Sequence, residues 1–268
     1  MDNNKKTITK TDTPHIKKIV LVASGKGGVG KSTVAAGIAL SLAKEGKAVG
    51  LLDADIHGPS VPALFNIDNK YPQTVEKNEK THIIPYERNQ IKIMSLGFFV
   101  KDKQAVVWRG PMVSNVLQQL CNDTDWGELD YLIVDTPPGT GDVHITLLQQ
   151  YNISGVVLVT TPQPMAIADV HKAAGLFNSE KIGAPVIGVV ENMAWFTPAI
   201  HPDEKYYIFG KGGGDIIAEE WNVPILQHIP IHEHMREYCD NGEVYKILND
   251  SILQTFFIEL AHKINNVV

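Results

Sequence analysis

A glycine-rich loop between an apolar run and a helix-forming stretch restricts this chain to few folds. Residues 24–33 read Ser-Gly-Lys-Gly-Gly-Val-Gly-Lys-Ser-Thr, after the β-branched run Ile19–Ala23 and before the small-residue stretch Val34–Leu40. A strand, a glycine-rich loop and a helix in this order are the context of a phosphate-binding loop. A glycine-rich turn without a ligand is the alternative, and the flanking strand and helix disfavour it.

The predicted loop would hold a nucleotide through its backbone and two of its side chains. Its glycines let consecutive N–H groups converge on phosphate oxygens, and the start of the helix adds partial positive charge. Lys31 is expected to reach the β- and γ-phosphates, and the Ser32 hydroxyl to ligate Mg²⁺. The loop residues predicted to contact the nucleotide are Gly25, Lys26, Gly27, Gly28, Val29, Gly30, Lys31, Ser32 and Thr33.

Strand-like and helix-like segments alternate along the rest of the chain. Short apolar runs next to turn residues predict parallel strands at Ile19–Ala23, Ala48–Leu52, Ile91–Ser95, Tyr131–Val134, Gly155–Val159, Val186–Val190 and Pro224–Ile229. Helices are predicted at Val34–Glu45, Met112–Leu120, Ile145–Gln150, Ala166–Leu176, Gly214–Glu220 and Ile252–Ile264. The alternation indicates an α/β fold: a doubly wound, mainly parallel sheet with helices on both faces and a ligand at the carboxyl ends of its strands.

Length and composition favour one large domain. The chain has 268 residues, and 44% of them are apolar, which suffices for a substantial core. We expect residues 17–268 to form the phosphate-loop domain. Residues 1–16, polar and rich in Lys, Thr and Asn, predict a flexible N-terminal arm.

Charge and cysteine content limit the partners and the compartment. The net charge of −6 disfavours a general affinity for nucleic acid. The predicted helix Ile252–Ile264 has an apolar stripe but lacks the basic face of a membrane anchor, which disfavours a membrane partner. The two cysteines, Cys121 and Cys239, lie far apart in sequence, and no secretory segment is apparent. These features predict a cytoplasmic protein without a disulfide framework.

Two predicted strands end in carboxylates that belong at the same sheet edge. The run Tyr131–Val134 leads into Asp135, where a Walker B aspartate holds Mg²⁺ directly or through water. Residues 136–142, Thr-Pro-Pro-Gly-Thr-Gly-Asp, follow at once and suit a loop that senses the γ-phosphate. Asp53 and Asp55 end the second strand. Asp55 is the candidate to orient the attacking water and Asp53 to support it, unless one of them only caps a helix.

Several motifs together resemble one class of proteins. Residues 26–32, Lys-Gly-Gly-Val-Gly-Lys-Ser, resemble the deviant Walker A loop of the MinD, ParA and nitrogenase iron protein ATPases. Within that class, segments 53–60, 108–112 and 135–142 are similar to those of the Mrp/ApbC branch of iron–sulfur cluster carriers. The resemblance covers roughly residues 17–265. Motifs in this order are far more specific than the phosphate loop alone.

The resemblance implies an ATP-hydrolysing homodimer. It makes Lys26 the residue that reaches across a nucleotide-sandwich dimer and Asn192 an adenine contact. The lack of an Asn-Lys-x-Asp motif favours ATP over GTP. The implied catalytic residues are Lys26, Lys31 and Asp55, and the implied Mg²⁺ ligands are Ser32 and Asp135.

One segment departs from the pattern of that branch. Its members follow Asn-Met with a Cys-Pro-x-Cys segment whose thiolates bridge a cluster across the dimer. Here residues 193–202 read Met-Ala-Trp-Phe-Thr-Pro-Ala-Ile-His-Pro and contain no cysteine. His201 is a candidate metal ligand, but one imidazole is a poor substitute for two thiolates. The simpler interpretation is that Trp195 and Phe196 pack a hairpin against residues 206–209.

A group of histidines near the C-terminus looks like a metal site on paper. His228, His232 and His234 precede Cys239 within a short stretch. Pro230 interrupts the group, and the spacing suits neither a helix face nor a zinc knuckle. We therefore expect these four side chains not to share a metal.

Two functions remain open on the sequence. The first is an ATPase that accepts an iron–sulfur cluster and passes it to apoprotein clients, as the resemblance implies. The alternative is a metal-free, ATP-dependent dimeric switch that acts on a protein client, because the expected thiolates are missing. The acidic composition disfavours a DNA-partitioning ATPase. A nitrogenase-type reductase would need cysteines near residues 139–144, which contain none.

Overall fold

The computed structural model describes residues 10–56, 58–68, 70–77, 79–99, 110–163, 169, 173, 175–179 and 182–268. Trp108 and Arg109 of segment 108–112 lie outside the described residues. Most of the predicted helix Ala166–Leu176 does so as well, although residues 169, 173 and 175–177 are helical.

Ten strands are found in the described part of the chain. They are β1 Ile16–Ser24, β2 Val49–Asp53, β3 Thr74–Lys77, β4 Lys80–Ile83, β5 Tyr86–Arg88, β6 Ile91–Ser95, β7 Leu129–Asp135, β8 Gly155–Thr160, β9 Val186–Phe196 and β10 Ile225–Ile231. All seven predicted strands are present, with boundaries that differ from the predictions by a few residues. β9 differs most, because it continues to Phe196.

Eight strands form one sheet in the order β10-β9-β8-β1-β7-β2-β6-β5. Every neighbouring pair is parallel except β5 and β6. β1 therefore lies inside the sheet, between β8 and β7. The chain leaves β1 towards one side of the sheet and later returns to the other, so the end of β1 is a topological switch point, where ligands of such sheets bind. The predicted α/β class with a mainly parallel sheet is confirmed.

The helices connect these strands or follow them. They are α1 Lys31–Lys44, α2 Val61–Leu64, α3 Gly110–Asn122, α4 Asp142–Gln150, α5 Gly213–Glu220, α6 Glu233–Asp240 and α7 Leu253–Val267, with short 3-10 helices at Leu96–Phe99 and Val244–Asn249. Within the described residues, no helix is both long enough and apolar enough to cross a bilayer.

The central strands and α1 supply much of the core. β2 and β8 are buried along their whole length, as expected for strands of a parallel sheet covered on both faces. α1 is rich in small residues and packs closely on α7. A Cβ on Gly37 would lie only 2.2 Å from the ring of Phe257, so glycine is needed at this contact. Close packing of α1 fixes the phosphate loop from which it begins.

Several small elements were not predicted. The antiparallel hairpin of β3 and β4 forms a separate two-stranded sheet, and β5 is an antiparallel edge strand. α2 and α6 were also missed. Most of the predicted N-terminal arm, residues 1–9, lies outside the described residues. β1 begins at Ile16, and the Thr11 N–H donates to the Gln150 carbonyl at 2.6 Å.

Candidate nucleotide-binding site

Strand register aligns polar residues at the carboxyl edge of the sheet. Asp53 at the end of β2 pairs with Asp135 on one side and with Ser95 on the other. Asp135 also pairs with Val22 on β1, two residues before the phosphate loop starts. Two carboxylates from distant parts of the sequence therefore lie side by side next to the loop.

The phosphate loop occupies the connection between β1 and α1. Gly28 and Gly30 both have a φ of 80°, a conformation that residues with a Cβ rarely adopt. The Ser24 hydroxyl closes the turn by donating to the Lys26 carbonyl at 2.9 Å. The side chains and backbone that line the cavity above the loop include all residues from Lys26 to Thr33, with Ser24, Asp55, Gly58, Ser60, Leu64 and Pro138. The loop residues predicted from the sequence are thus assembled around one cavity, except Gly25, which is not among its lining residues.

Lys31 and Asp135 form an ion pair at the base of this cavity. The Lys31 Nζ lies 2.5 Å from the Asp135 Oδ1, and the two side chains are 7% and 0% exposed. Burial raises the pKa of Asp135, and its contacts with Lys31 and Ser32 oppose that rise. The second oxygen, Oδ2, is buried and has no hydrogen-bond partner among the described residues. A buried acceptor without a partner is costly, which marks this oxygen as a site for a ligand.

Asp53 supports the site from beneath. Its side chain is fully buried, and its Oδ1 accepts the Asp55 N–H at 3.1 Å. Its Oδ2 accepts the Val61 N–H at 3.2 Å and the Ser95 hydroxyl at 3.1 Å. Burial, and then the nearby Asp135, raise the pKa of Asp53. Val61 is the first residue of α2, so Asp53 binds a helix N-terminus, although the N-cap residue of that helix is Ser60 and not an aspartate.

Asp55 is the carboxylate that faces the cavity. It is partly exposed and lines the cavity together with the phosphate loop. Its Oδ1 accepts the Gly58 N–H at 3.3 Å. Asp53 is thus buried and Asp55 lines the cavity, and the roles predicted for them in hydrolysis stay predictions.

Asn192 contacts the phosphate loop. Its side chain is buried, and its Nδ2 donates to the Val29 carbonyl at 2.8 Å. A Cβ on Gly30 would overlap this amide, at 2.2 Å from Nδ2. The loop therefore needs glycine at position 30 for two reasons, its positive φ and the approach of Asn192. An adenine contact of Asn192 stays a prediction, and the bond to Val29 is a function that the sequence did not suggest.

Lys26 lies at the rim of the cavity. Its Nζ donates to the Gln163 Oε1 at 3.0 Å, away from the buried Lys31–Asp135 pair. Gln163 follows the end of β8, so it reaches the same edge of the sheet as the loop. The sequence analysis missed Gln163. Its position shortly after an apolar strand was the only available signal.

A buried histidine holds the loop after β7. The His144 Nδ1 accepts the Gly141 N–H at 3.3 Å, which leaves its Nε2 to donate to the Thr136 hydroxyl at 2.9 Å. Thr136 in turn donates to the Val22 carbonyl at 3.0 Å, and the Gly139 N–H donates to the Ser24 carbonyl at 2.8 Å. His144 therefore joins both ends of the predicted γ-phosphate-sensing loop and ties it to β1. No sequence motif predicts this role of His144.

The four side chains that resembled a metal cluster do not converge. His228 lies 3.2 Å from Asp215, and the Cys239 Sγ lies 3.7 Å from the Thr33 hydroxyl beside the phosphate loop. His232 and His234 do lie together, with ring centroids 5.0 Å apart. The expectation that the four share no metal agrees with this separation.

Known proteins similar to this chain are found by sequence and by structure. A family model described as ParA, NUBPL iron-transfer P-loop NTPase, matches residues 15–265. An iron-sulfur cluster carrier protein of Aquifex aeolicus is 45% identical over 97% of this chain and 70% of its own length. One of Synechocystis is 44% identical over 85% of this chain and 64% of its own length, so the chain spans about two thirds of such relatives. The solved structure of a nucleotide-binding protein from Archaeoglobus fulgidus in complex with ADP is 36% identical, with a TM-score of 0.75 over 91% of this chain and 93% of that one.

His144 should make stability depend on pH. Burial, and then the charge of Lys31, lower its pKa from 6.5 to about 4. The unfolded chain therefore binds a proton between these values that the folded chain does not, so His144 favours folding above pH ~6.5 and loses this effect towards pH ~4. The loss amounts to about 3 kcal/mol. We expect His144→Gln to be less stable than wild type at pH 7 and to approach it as the pH falls, measured by urea unfolding. Parallel stability curves for the two proteins would contradict this assignment.

Proposed function

The chain belongs to the ParA/NUBPL family of iron-transfer P-loop NTPases, and from that premise we propose that it is an ATP-hydrolysing homodimer that carries iron–sulfur clusters to apoproteins. The observation that carries the nucleotide chemistry is the buried Lys31–Asp135 pair beneath an open glycine loop. The cargo is inferred from relatives that are described as cluster carriers. Cytoplasmic location is part of the same proposal.

The residues around the loop fit a nucleotide with Mg²⁺. Gly28 and Gly30 provide a backbone cradle, and a Cβ built on Gly28 would meet no atom within 4 Å among the described residues beyond its chain neighbours. Ser32 and the unpartnered Oδ2 of Asp135 are oxygen donors, which Mg²⁺ prefers. When bound, Mg²⁺ would offset the charge on the β- and γ-phosphates.

Three polar residues in or beside the cavity have distinct tasks in the proposed hydrolysis. Lys31 offsets phosphate charge from the floor of the cavity, where burial strengthens its field. Asp55 orients the attacking water, because it is the carboxylate that lines the cavity. Asn192 holds the loop through Val29.

Lys26 supports a dimeric mechanism. Lys31 already satisfies Asp135 within the chain, whereas Lys26 is held at the rim by the neutral amide of Gln163. If Lys26 instead contacted a phosphate of the nucleotide bound to a facing subunit, it would gain a charge-assisted contact. Lys26 would then complete the charge around the γ-phosphate only after two chains assemble.

Substitutions of Lys31 and Asp55 should separate binding from turnover. Lys31→Ala should weaken ATP binding at least about tenfold, because it removes a charge-assisted phosphate contact. Asp55→Asn should bind ATP normally and hydrolyse it at least about 100-fold more slowly, because it loses the base that orients water. Calorimetry and single-turnover assays measure the two quantities, with thermal melting to verify folding. Normal hydrolysis by Asp55→Asn would exclude this role for Asp55.

Substitution of Lys26 should affect assembly more than affinity. Lys26→Ala should bind ATP in the monomer as wild type does, yet fail to dimerise with ATP and lose turnover. Light scattering with ATP or a slowly hydrolysed analogue tests this. Gln163→Ala is the matched control, because it frees Lys26 without removing the cation and should still dimerise. A Lys26→Ala protein that dimerises and hydrolyses like wild type would refute the cross-subunit role.

The two cysteines are poorly suited to hold a cluster. Burial raises the pKa of the Cys121 thiol to about 12, and Cys121 packs in the core on α3. Burial also raises the pKa of Cys239, whose Sγ contacts Thr33. Clusters bind thiolates rather than thiols. In the segment where relatives of the Mrp/ApbC branch carry cysteines, His201 is exposed and lies 3.8 Å from Glu204.

This mismatch supports the second candidate function, a metal-free ATP-dependent switch that acts on a protein client. Under the carrier proposal, the cluster would instead need ligands from the client. The two candidate functions therefore differ in whether the protein delivers iron to its client.

A transfer assay decides between the two functions. Under anaerobic conditions, we expect the wild type with ATP to accelerate delivery of iron and sulfide to an apoprotein that accepts a four-iron cluster, and Lys31→Ala not to. Because suitable thiolates are lacking, iron counting after gel filtration should find less than one cluster per dimer on the isolated protein. No acceleration by the wild type would favour the metal-free switch. One stable cluster per dimer, retained by Cys121→Ser/Cys239→Ser, would contradict the ligand argument.

A further inference from the structure

We infer that His232, His234 and Asp250 form a binding site for a divalent transition-metal ion such as Zn²⁺, separate from the nucleotide site. One ligand atom from each residue lies within 4.8 Å of the other two. Two imidazoles and one carboxylate are a donor set that binds Zn²⁺ in proteins. This proposal does not depend on the proposed ATPase or carrier function.

The backbone holds two of the three ligands at the start of one helix. His232 is the N-cap residue of α6 and has extended backbone, whereas His234 lies in the first turn. The change from extended to helical conformation turns the two imidazoles towards each other, in an edge-to-face arrangement. Residues two apart on a continuous helix would point to different sides. The helix boundary is therefore what brings the pair together.

Asp250 is fixed by hydrogen bonds to one oxygen, and its other oxygen already contacts His234. Its Oδ1 accepts the N–H groups of Ile252 and Leu253, each at 2.9 Å, at the start of α7. Its Oδ2 lies 2.8 Å from the His234 Nδ1, and its side chain is only 8% exposed. The hydrogen bonds to Oδ1 orient the carboxylate so that Oδ2 can bind a metal, as outer-shell contacts do at metal sites.

His232 carries a polar atom that lacks a partner. Its Nδ1 is buried and makes no hydrogen bond to any of the residues that the structure describes. A buried ring nitrogen without a partner is costly, and a metal ion would use its lone pair. This atom is an independent sign that the site takes a ligand.

The donor set also limits which ion fits. Mg²⁺ prefers oxygen ligands and an iron–sulfur cluster prefers thiolates, so a borderline ion such as Zn²⁺ or Co²⁺ suits two nitrogens and one oxygen. Bonds of 2.0–2.2 Å place tetrahedral ligand atoms about 3.3 Å apart. The His234 Nδ1 and the Asp250 Oδ2, 2.8 Å apart, would need to separate slightly, and ligand atoms as far apart as 4.8 Å would need to close by roughly 1.5 Å. Three protein ligands would leave a fourth position for water or another ligand.

Titration with metal alone tests the site on the full, nucleotide-free chain. We expect the wild type to bind one Zn²⁺ at this site by calorimetry at pH 8, and Co²⁺ to give visible d–d absorption. His232→Asn retains a good N-cap residue, and Asp250→Asn retains an acceptor for the start of α7. Each should weaken Zn²⁺ binding at least about tenfold while the protein stays folded. His228→Asn is the matched control and should bind like wild type, because His228 contacts Asp215 instead.

Stability provides a second measurement. Saturating Zn²⁺ should raise the melting temperature of the wild type and of His228→Asn, but not of His232→Asn, because ligands stabilise only the state that binds them. A Ser32→Ala/Asp135→Asn protein shows whether metal bound at the nucleotide site contributes, and it should keep the effect. No Zn²⁺ binding by the wild type, or equal binding by His232→Asn and Asp250→Asn, would overturn the proposal.

Discussion

The buried contact between Lys31 and Asp135 is the interaction on which the site depends. Removing two charges from water is expensive, and their attraction offsets this cost only when the geometry is good. Here the geometry comes from the sheet and the loop: β7 delivers Asp135 to the carboxyl edge, and α1 begins with Lys31. The same pair influences its neighbours. Asp135 helps to raise the pKa of Asp53, and Lys31 helps to lower that of His144. A change of charge at the loop would therefore be felt by several buried groups at once.

The sequence predicted the parts of the molecule that local pattern determines. Parallel strands buried on both faces appear as continuous apolar runs, and such runs located β1, β2 and β7 with the residues at their ends. Because carboxyl ends of parallel strands share one edge, the closeness of Asp53 and Asp135 followed without a structure. The phosphate loop could be predicted because its glycines lie between a strand and a helix.

Other elements could not be predicted, because they have little apolar patterning or depend on contacts distant in sequence. β3 is mostly exposed, and α6 has no fully buried residue, so neither gives a periodic signal. Gln163 and His144 matter through bonds to Lys26 and Thr136, which the spacing in the chain does not reveal. The histidine pair shows both limits. Spacing argued against a metal shared with His228 and Cys239, but a helix boundary aligns His232 with His234. The 3-10 helix Val244–Asn249 then brings Asp250 close to both.

The residues for phosphate binding and the thiols that could bind a cluster are placed differently in this chain. The groups for phosphate binding lie around one cavity and are held by bonds within the chain, including the contact of Asn192 with Val29. The thiols are instead placed where apolar packing uses them, Cys121 in the core and Cys239 half-buried beside Thr33. Exposing Cys121 as a thiolate would require the packed helix α3 to move, and burial already disfavours the thiolate of the half-buried Cys239. A hairpin at residues 196–206, by contrast, already lies at the surface. Ligands for a cluster are therefore more easily brought to this protein by a client than released from its own interior, and nucleotide binding can operate without either cysteine.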